Sequence, residues 1–302
     1  MNPIIRAGMR YQSLQMQRND APRLAAQPLP GGVAEQRGIR YMAKGRRHIL
    51  DVYRPAHFQG PLPVLVDIHG GGLIYGDLDV NRAYCHALAA AGWLVIGIEY
   101  SLAPGARFFT QLRELAAGMR TVCRRAADWG GSLKGGVYLT GDSAGGLLAL
   151  YLSALDGNTA LRTIFDLPDV QFPANIRALG LVCPMSRTDV SPFSLMEREL
   201  YGPLFRQKEF YPYMRPDILA VNCKLPPCWI QTGAEDFIRA HSLALAGALD
   251  AAGKVYTLVD LPKGTSAHPL GHVFAVGWPD WPESAEVNRK MFAFFKAAPP
   301  CA

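Results

Sequence analysis

The segment Gly141-Asp142-Ser143-Ala144-Gly145-Gly146 places a serine between small residues at the junction of two predicted elements. Residues 137–140 before it have the composition of a short buried strand, and the run 147–155 after it is apolar and helix-prone. A Gly-x-Ser-x-Gly between a strand and a helix forms a sharp turn that exposes the hydroxyl at the helix N-terminus, where the helix dipole favours negative charge. The pattern therefore predicts that Ser143 is a nucleophile for acyl transfer, with an ordinary glycine-rich turn as the alternative.

A histidine and three glycines, His69-Gly70-Gly71-Gly72, directly follow a predicted strand at 63–68. Backbone N–H groups of consecutive glycines can turn toward one point because no side chain obstructs them. Such a loop, together with the N–H of the residue after the serine, can hold an oxyanion. We predict Gly71, Gly72 and Ala144 as the donors. A glycine run that serves only as a turn is the alternative, and a phosphate loop is disfavoured because no Lys-Ser/Thr follows.

The base for this serine must be one of seven histidines, and two of them, His268 and His272, lie in the loop after the last predicted strand. That loop carries the base when the chain order is Ser, then Asp/Glu, then His. We predict His272 rather than His268 as the base. The ring of His69 is expected to support the glycine loop. The remaining histidines lie in or beside regular elements: His48, His57, His86 and His241.

Two adjacent carboxylates, Glu235 and Asp236, follow the predicted strand at 228–231. Either could bond the second ring nitrogen of the histidine, fix its tautomer and stabilise the imidazolium. We predict Asp236 as this orienting acid, with Glu235 as the alternative. Asp142 lies too close to the nucleophile along the backbone for this role and is expected to brace the turn.

Strand-like and helix-like segments alternate from about Ile39 onward, which is typical of a parallel sheet covered by helices. The predicted strands are 49–53, 63–68, 94–98, 137–140, 178–183, 228–231 and 255–261. The predicted helices are 81–91, 112–126, 147–155, 243–252 and 285–297. This alternation puts the serine, the glycine loop, the acid and the base at the ends of predicted strands.

Two segments interrupt the alternation: residues 1 to about 38, and residues 186 to about 224. The second is too apolar for a solvated loop of that length. We expect both to be cap elements of a single domain over 1–302, with the aromatic side chains of the second segment walling a pocket above the serine. A core extension that only thickens the domain is the alternative.

Taken together, these motifs resemble the hormone-sensitive-lipase-like branch of the α/β-hydrolase esterases, over residues 48 to 297. The resemblance rests on His69-Gly70-Gly71-Gly72, Tyr100-Ser101-Leu102-Ala103-Pro104, Gly141-Asp142-Ser143-Ala144-Gly145, Gly233-Ala234-Glu235-Asp236 and His272-Val273-Phe274. The family usually has His-Gly-Phe where this chain has Val273 after the histidine.

The resemblance implies an α/β-hydrolase fold, with a mostly parallel eight-stranded sheet flanked by helices and a helical cap. It also implies ester hydrolysis without a cofactor or metal. By the family's motif, the triad is Ser143, Asp236 and His272, and the oxyanion hole is formed by Gly71, Gly72 and Ala144.

The composition is that of an ordinary globular protein: 302 residues, 49% hydrophobic and 19% charged. The net charge of +6 is spread along the chain, so nucleic-acid binding is not expected. No apolar run approaches a membrane span and no secretory signal is evident. The six cysteines form neither a CxxC pair nor a dense framework. We therefore expect a cytoplasmic protein with a small-molecule ester as its partner, and a homodimer is compatible with the sequence.

The function predicted from these residues is that of a serine carboxylic-ester hydrolase (a carboxylesterase) acting on short-to-medium acyl esters through an acyl-enzyme. Two alternatives stay open. The same groups could act on another acyl substrate, such as an aryl formamide, a sugar acetate or a lactone. A non-catalytic ligand receptor of the same fold is the other, which the presence of His272 disfavours.

Overall fold

A nine-stranded sheet forms the centre of the protein, in a computed structural model that describes residues 2–187, 199–202, 209–264 and 266–299. Its strands are β1 (Val33–Arg40), β2 (Ile49–Pro55), β3 (Leu62–Ile68), β4 (Leu94–Ile98), β5 (Gly131–Ser132), β6 (Val137–Asp142), β7 (Ile176–Val182), β8 (Cys228–Gly233) and β9 (Tyr256–Leu261).

The strand order across the sheet is β1-β2-β4-β3-β6-β7-β8-β9, and the two-residue β5 pairs with β3 beside this path. β2 is antiparallel to both β1 and β4, and every other pair is parallel. The register pairs Ile68 with Gly141, and Asp142 with Val182. The ends of β3, β6 and β7 therefore lie side by side, and the loops that follow them meet at one edge of the sheet. The eight strands of the main path confirm the expected mostly parallel sheet.

Helices cover the sheet, and their bounds in the described part of the chain are α1 (Pro3–Ala26), α2 (Arg82–Ala90), α3 (Phe108–Arg125), α4 (Ala144–Asp156), α5 (Thr159–Ile164), α6 (Pro216–Asn222), α7 (Arg239–Ala251), α8 (Phe274–Gly277) and α9 (Pro282–Ala297). Short 3₁₀ turns occupy Ala126–Trp129 and Tyr211–Met214. None of the helices described is both long enough and apolar enough to cross a bilayer.

The central elements are apolar on all sides because they are covered on all sides. All five residues of β4 are buried, and so are twelve of the thirteen residues of α4, from Ala144 to Leu155. α4 follows the serine, so the turn that carries Ser143 is fixed between a buried strand and a buried helix.

The first segment expected to be a cap element, residues 1 to about 38, contains both a helix and the start of a strand. Residues 33–38 belong to the edge strand β1, and the helix α1 alone precedes the sheet. β1 is largely exposed and contains a register shift between Gln36 and Ile39. It therefore lacks the apolar alternation that marks a half-buried strand.

The second segment expected to be a cap element is described only in part, because residues 188–198 and 203–208 lie outside the described ranges. The large apolar residues expected to wall the pocket include five that lie outside the described ranges: Phe193, Leu195, Met196, Leu204 and Phe205. Two described aromatic residues, Tyr201 and Phe210, are buried and pack in edge-to-face contacts against Phe109 of α3. These two rings extend the core.

Candidate active site

Ser143 stands at the turn between β6 and α4 in a backbone conformation that is sparsely populated for a serine, with φ 50° and ψ −116°. Its N–H donates to the carbonyl of Val182 at 2.9 Å, which ties the turn to the neighbouring strand. A Cβ on Gly145 would lie 1.9 Å from the carbonyl oxygen of Ile68, so only glycine lets α4 approach β3 this closely. The small residues of the motif thus hold the serine at the sheet edge.

The glycine loop follows β3 and turns sharply, because Gly71 has φ 102° and Gly72 has φ 61°. A Cβ on Gly71 would lie 2.1 Å from the carbonyl oxygen of Tyr75, so a side chain at this position would displace the loop. The N–H of Gly70 donates to Asp142 Oδ1 at 2.9 Å, which links the loop directly to the residue before the serine. Asp142 therefore braces the turn as predicted from the sequence.

The imidazole of His272 lies 2.7 Å from the Asp236 carboxylate, measured from Nδ1 to Oδ1. Two further donors hold that carboxylate: the Ile238 N–H to Oδ1 at 3.0 Å and the Thr232 hydroxyl to Oδ2 at 2.8 Å. Burial raises the pKa of Asp236, but the bonds from His272, Ile238 and Thr232 outweigh it and leave the pKa below its usual value. Asp236 is thus a buried, ionised acceptor for the second ring nitrogen of His272.

Glu235 and His268, the alternative acid and base, form hydrogen bonds or ion pairs with other residues. Glu235 accepts the Leu270 N–H at 3.0 Å and forms a bridge with Gly271, so it positions the loop that carries His272. His268 lies 3.1 Å from Glu283 and stacks on Trp281 with ring centroids 4.2 Å apart. The structure therefore brings Asp236 and His272 together and leaves the other two outside the pair.

A network of side chains around the buried Glu99 supports the first residue of the glycine loop, His69. His69 Nε2 lies 3.1 Å from Glu99 Oε1, and the His69 ring stacks on Tyr100 at 4.4 Å. Arg47 also bonds Glu99, at 2.7 Å. Burial lowers the pKa of His69, but the charge and hydrogen bond of Glu99 raise it by more than burial lowers it. The net pKa of His69 therefore lies above its usual value. His69, held by Glu99 and Tyr100, thus fixes the start of the loop, the role the sequence suggested.

Asn81 connects two buried carboxyl groups near the serine, and the sequence analysis did not single it out. Its Nδ2 donates to Asp142 Oδ1 at 2.9 Å and to Asp67 Oδ2 at 3.0 Å. Burial, reinforced by the charge of Asp142, raises the pKa of Asp67 to about 7. The sequence signals for this network were Asp142 beside the serine and Asp67 inside the otherwise apolar strand 63–68.

A cavity of about 540 Å³ opens above the serine, and both Ser143 and His272 line it. Gly70, Gly71 and Gly72 form part of its wall. Among the hydrogen bonds of the described residues, none joins the Ser143 hydroxyl to His272. Such bonds are often long before substrate binds and tighten in the complex.

The cavity walls combine apolar residues with a polar contribution from α1. The apolar part includes Met16, Ile74, Met185, Phe237, Ile238, Val273, Val276 and Trp278, and the polar part from α1 includes Gln12, Asn19, Asp20 and Arg23. The helix α1 therefore covers the site, as a cap element would. The described residues of 199–224 are not among the lining residues, so the aromatic residues described there do not wall the pocket.

One group of potential metal ligands lies at the site: Cys183, Asp236 and His272 offer atoms within 4.8 Å of one another. The Asp236 and His272 atoms are only 2.7 Å apart, the distance of a charge-assisted hydrogen bond. Tetrahedral zinc would separate them by about 3.3 Å, since its bonds are about 2 Å long. The geometry fits a proton between these two residues better than a metal ion.

A serine on a strained turn, an adjacent glycine loop and a histidine–aspartate pair at the ends of parallel strands define an α/β-hydrolase site. A family model of the alpha/beta hydrolase fold matches residues 65–268, and this chain belongs to that family, in its hormone-sensitive-lipase-like branch. The matched span contains Ser143 and Asp236 and ends before His272.

Three similar proteins are esterases. Carboxylesterase NlhH of Mycobacterium tuberculosis is 30% identical over 82% of this chain and 77% of its own length. Carboxylic ester hydrolase LipN of the same organism is 30% identical over 74% of this chain, which spans 61% of LipN's length. The structure of esterase B from Lactobacillus rhamnosis with a tributyrin phosphonate superposes with a TM-score of 0.90 at 30% identity, covering 98% of this chain and 96% of that one.

Proposed function

We propose that this protein is a serine carboxylesterase that hydrolyses short-to-medium acyl esters through a Ser143–His272–Asp236 triad. The observation that carries this proposal is the 2.7 Å bond between Asp236 and His272 at a cavity that Ser143 also lines. The esterase names of NlhH and LipN support the same reaction class.

Acylation begins when Ser143 Oγ attacks the ester carbonyl carbon and its proton passes to His272 Nε2. The carbonyl oxygen becomes an oxyanion and accepts hydrogen bonds from the N–H groups of Gly71, Gly72 and Ala144. Asp236 stays ionised and stabilises the imidazolium through Nδ1. The tetrahedral intermediate collapses when the bond to the alcohol oxygen breaks, and His272 gives its proton to the leaving alcohol.

Deacylation repeats these steps with water as the nucleophile. Water attacks the acyl carbon while His272 removes its proton, and a second oxyanion forms at the same donors. Collapse breaks the bond to Ser143 Oγ, which takes the proton back from His272. The products are the carboxylic acid and the free enzyme, so the cycle needs no external oxidant, reductant or metal.

The cavity supports a preference for short and medium acyl chains. Its volume of about 540 Å³ is in the lower half of the usual range for small-molecule pockets, and much of its wall is apolar. Esterase B, which is 30% identical, was solved with a phosphonate of tributyrin, a C4 ester. A series of p-nitrophenyl esters from acetate to palmitate should therefore peak between acetate and hexanoate, and a maximum at palmitate would contradict this preference.

The decisive experiment compares the wild type with Ser143→Ala on p-nitrophenyl butyrate. We expect kcat to fall by about 10⁶, the loss seen when a serine hydrolase loses its nucleophile. Ser153→Ala is the matched control, because the Ser153 hydroxyl is buried in α4, the helix that follows Ser143, and among the described residues it donates only to the Ala149 carbonyl. An active Ser143→Ala protein would refute the mechanism.

A fluorophosphonate probe distinguishes the enzyme from a non-catalytic receptor. The probe forms a covalent bond to an activated serine, so the wild type should be labelled at Ser143 and Ser143→Ala should not. Reversible binding of esters without labelling of the wild type would favour the receptor.

A further inference from the structure

Cys183 is a buried residue at the end of β7 that the mechanism above does not use. Its side chain is fully inaccessible to solvent, and its φ of 45° turns the chain immediately after the strand. Its N–H donates to the carbonyl of Gln231 at 2.7 Å, on the strand that leads to Asp236. The residue is therefore fixed between β7 and β8 with its side chain held beside the acid.

The thiol of Cys183 contacts the segments that carry both the acid and the base. Its Sγ lies within 4.8 Å of a carboxylate oxygen of Asp236 and of a ring nitrogen of His272. It also accepts the N–H of Val273 at 3.3 Å, directly after the base. One sulfur atom thus connects the loop after β8 with the loop after β9.

The thiol remains protonated and can donate to the carboxylate. Burial raises the pKa of Cys183 well above its usual value, and the negative charge of Asp236 raises it further. The sulfur therefore carries a proton beside the Asp236 carboxylate and accepts from the Val273 N–H, which no alanine side chain could do.

The backbone conformation of Val273 explains why the hydrogen bond from its N–H to Cys183 is needed. It has φ 52° and ψ 29°, a left-handed conformation that is unfavourable for a β-branched residue. The family usually has glycine at this position, where that conformation has no steric penalty. The bond from the Val273 N–H to Cys183 stabilises the turn in which His272 is presented.

We propose that Cys183 is a positioning residue for the triad. From the end of β7, it fixes the position of the His272 loop relative to Asp236. This inference rests on the proposed ester hydrolysis and adds a residue to it. Cys183 touches neither substrate nor the reacting atoms, so its effect should be on the rate of the chemical step and not on substrate binding.

Three variants test this role: Cys183→Ala, Cys183→Ser and the control Cys228→Ala. Cys228 is also fully buried, but it lies at the start of β8, at the opposite edge of the sheet, and donates to the Pro226 carbonyl at 3.2 Å. Each alanine variant removes one buried thiol, so both lower stability, and only Cys183→Ala removes a contact to the triad. Melting temperature, kcat and KM are measured on p-nitrophenyl acetate and butyrate.

We expect Cys183→Ala to lower kcat by about 10-fold to 100-fold with KM changed by less than about twofold, because small misplacements of catalytic groups act on the chemical step. Cys183→Ser should recover most of kcat, since a hydroxyl can both donate to Asp236 and accept from Val273. Cys228→Ala should keep the wild-type kcat.

The proposal is overturned by wild-type kcat in Cys183→Ala, by equal losses in Cys183→Ser and Cys183→Ala, or by a loss in Cys228→Ala that matches Cys183→Ala. If Cys183→Ala does not fold, Cys183→Ser is compared with the wild type and with Cys228→Ala. A 100-fold loss of kcat in Cys183→Ser then overturns the proposal. Failure of the proposed function itself gives a different result, because the wild type would then neither turn over ester nor be labelled by fluorophosphonate.

Discussion

Replacing Asp236 by asparagine tests the part of the site on which the mechanism depends most directly. The carboxylate accepts from His272 Nδ1 at 2.7 Å, from the Ile238 N–H and from the Thr232 hydroxyl. All three partners donate, and the carboxylate offers only acceptors. Asparagine keeps the shape of the side chain but has one acceptor oxygen, so one of its two polar atoms must present N–H groups to these donors.

The expected loss follows from charge and tautomer. Opposite unit charges about 4 Å apart attract by about 4 kcal/mol at an effective dielectric constant of about 20. This energy corresponds to a rate factor of about 10³ when the imidazolium forms without its partner. If the new NH₂ group faces Nδ1, His272 also takes the wrong tautomer, and the loss reaches about 10⁴. We therefore expect kcat of Asp236→Asn to fall by about 10³ to 10⁴.

The assay is steady-state hydrolysis of p-nitrophenyl butyrate, with melting temperature as the check on folding. Glu235→Gln is the matched control because it neutralises the adjacent carboxylate, whose bond to the Leu270 N–H glutamine can retain. Glu235→Gln should keep kcat within about tenfold of the wild type. An Asp236→Asn enzyme with more than a tenth of the wild-type kcat would refute Asp236 as the orienting acid, and a large loss in Glu235→Gln alone would move that role to Glu235.

Three further substitutions give separate tests of the loops and the buried carboxyl pair. Gly71→Ala should lower kcat by about 10² to 10³ through displacement of an oxyanion donor, whereas Gly8→Ala, where a Cβ meets nothing within 4 Å, should leave kcat unchanged. Asp67→Asn should raise the melting temperature more at pH 8 than at pH 5. The reason is that burial raises the pKa of Asp67 to about 7 from an unfolded value near 3.8, so wild-type stability falls as the pH rises between these values. Equal gains at both pH values in differential scanning fluorimetry would contradict this. Val273→Gly should raise the melting temperature by about 2 °C, because it relieves left-handed strain of about 1–2 kcal/mol and adds a smaller backbone entropy to the unfolded chain. An unchanged or lower melting temperature would show that the strain relieved is no larger than the side-chain packing of Val273 that is lost.

The sequence was most informative where a function demands a residue type at a fixed place in the chain order. The glycines around Ser143 are needed because α4 packs so closely on β3 that a side chain would not fit. This requirement fixes the glycine positions, and so the motif can be recognised in the sequence. Asp236 and His272 could be named because each follows a strand of a parallel sheet, so their loops must end at the same edge. Their separation of 36 residues in the chain gave no information on the 2.7 Å contact itself.

The sequence was least informative where tertiary contacts decide. β1 pairs with β2 through its backbone while its side chains stay largely exposed, so no apolar pattern marks it. Glu99 was not singled out because its partners, Arg47 and His69, lie 52 and 30 residues away. The polar residues with which α1 lines the cavity could not be chosen either, since the low amphipathicity of that helix leaves its orientation undefined.

Backbone strain in the described residues is concentrated around the cavity. Of five non-glycine residues with positive φ, four lie at turns beside it: Leu73, Ser143, Cys183 and Val273. Each left-handed residue costs about 1–2 kcal/mol, so these turns persist because hydrogen bonds hold them. The Leu73 carbonyl accepts from the Ala103 N–H and from Gln111, and the Ser143 N–H donates to Val182. Because the strain at Ser143 exposes the proposed nucleophile, relieving that strain should reduce activity. Relieving the strain at Val273 should instead increase stability, while the proposed Cys183 contact still orients the loop.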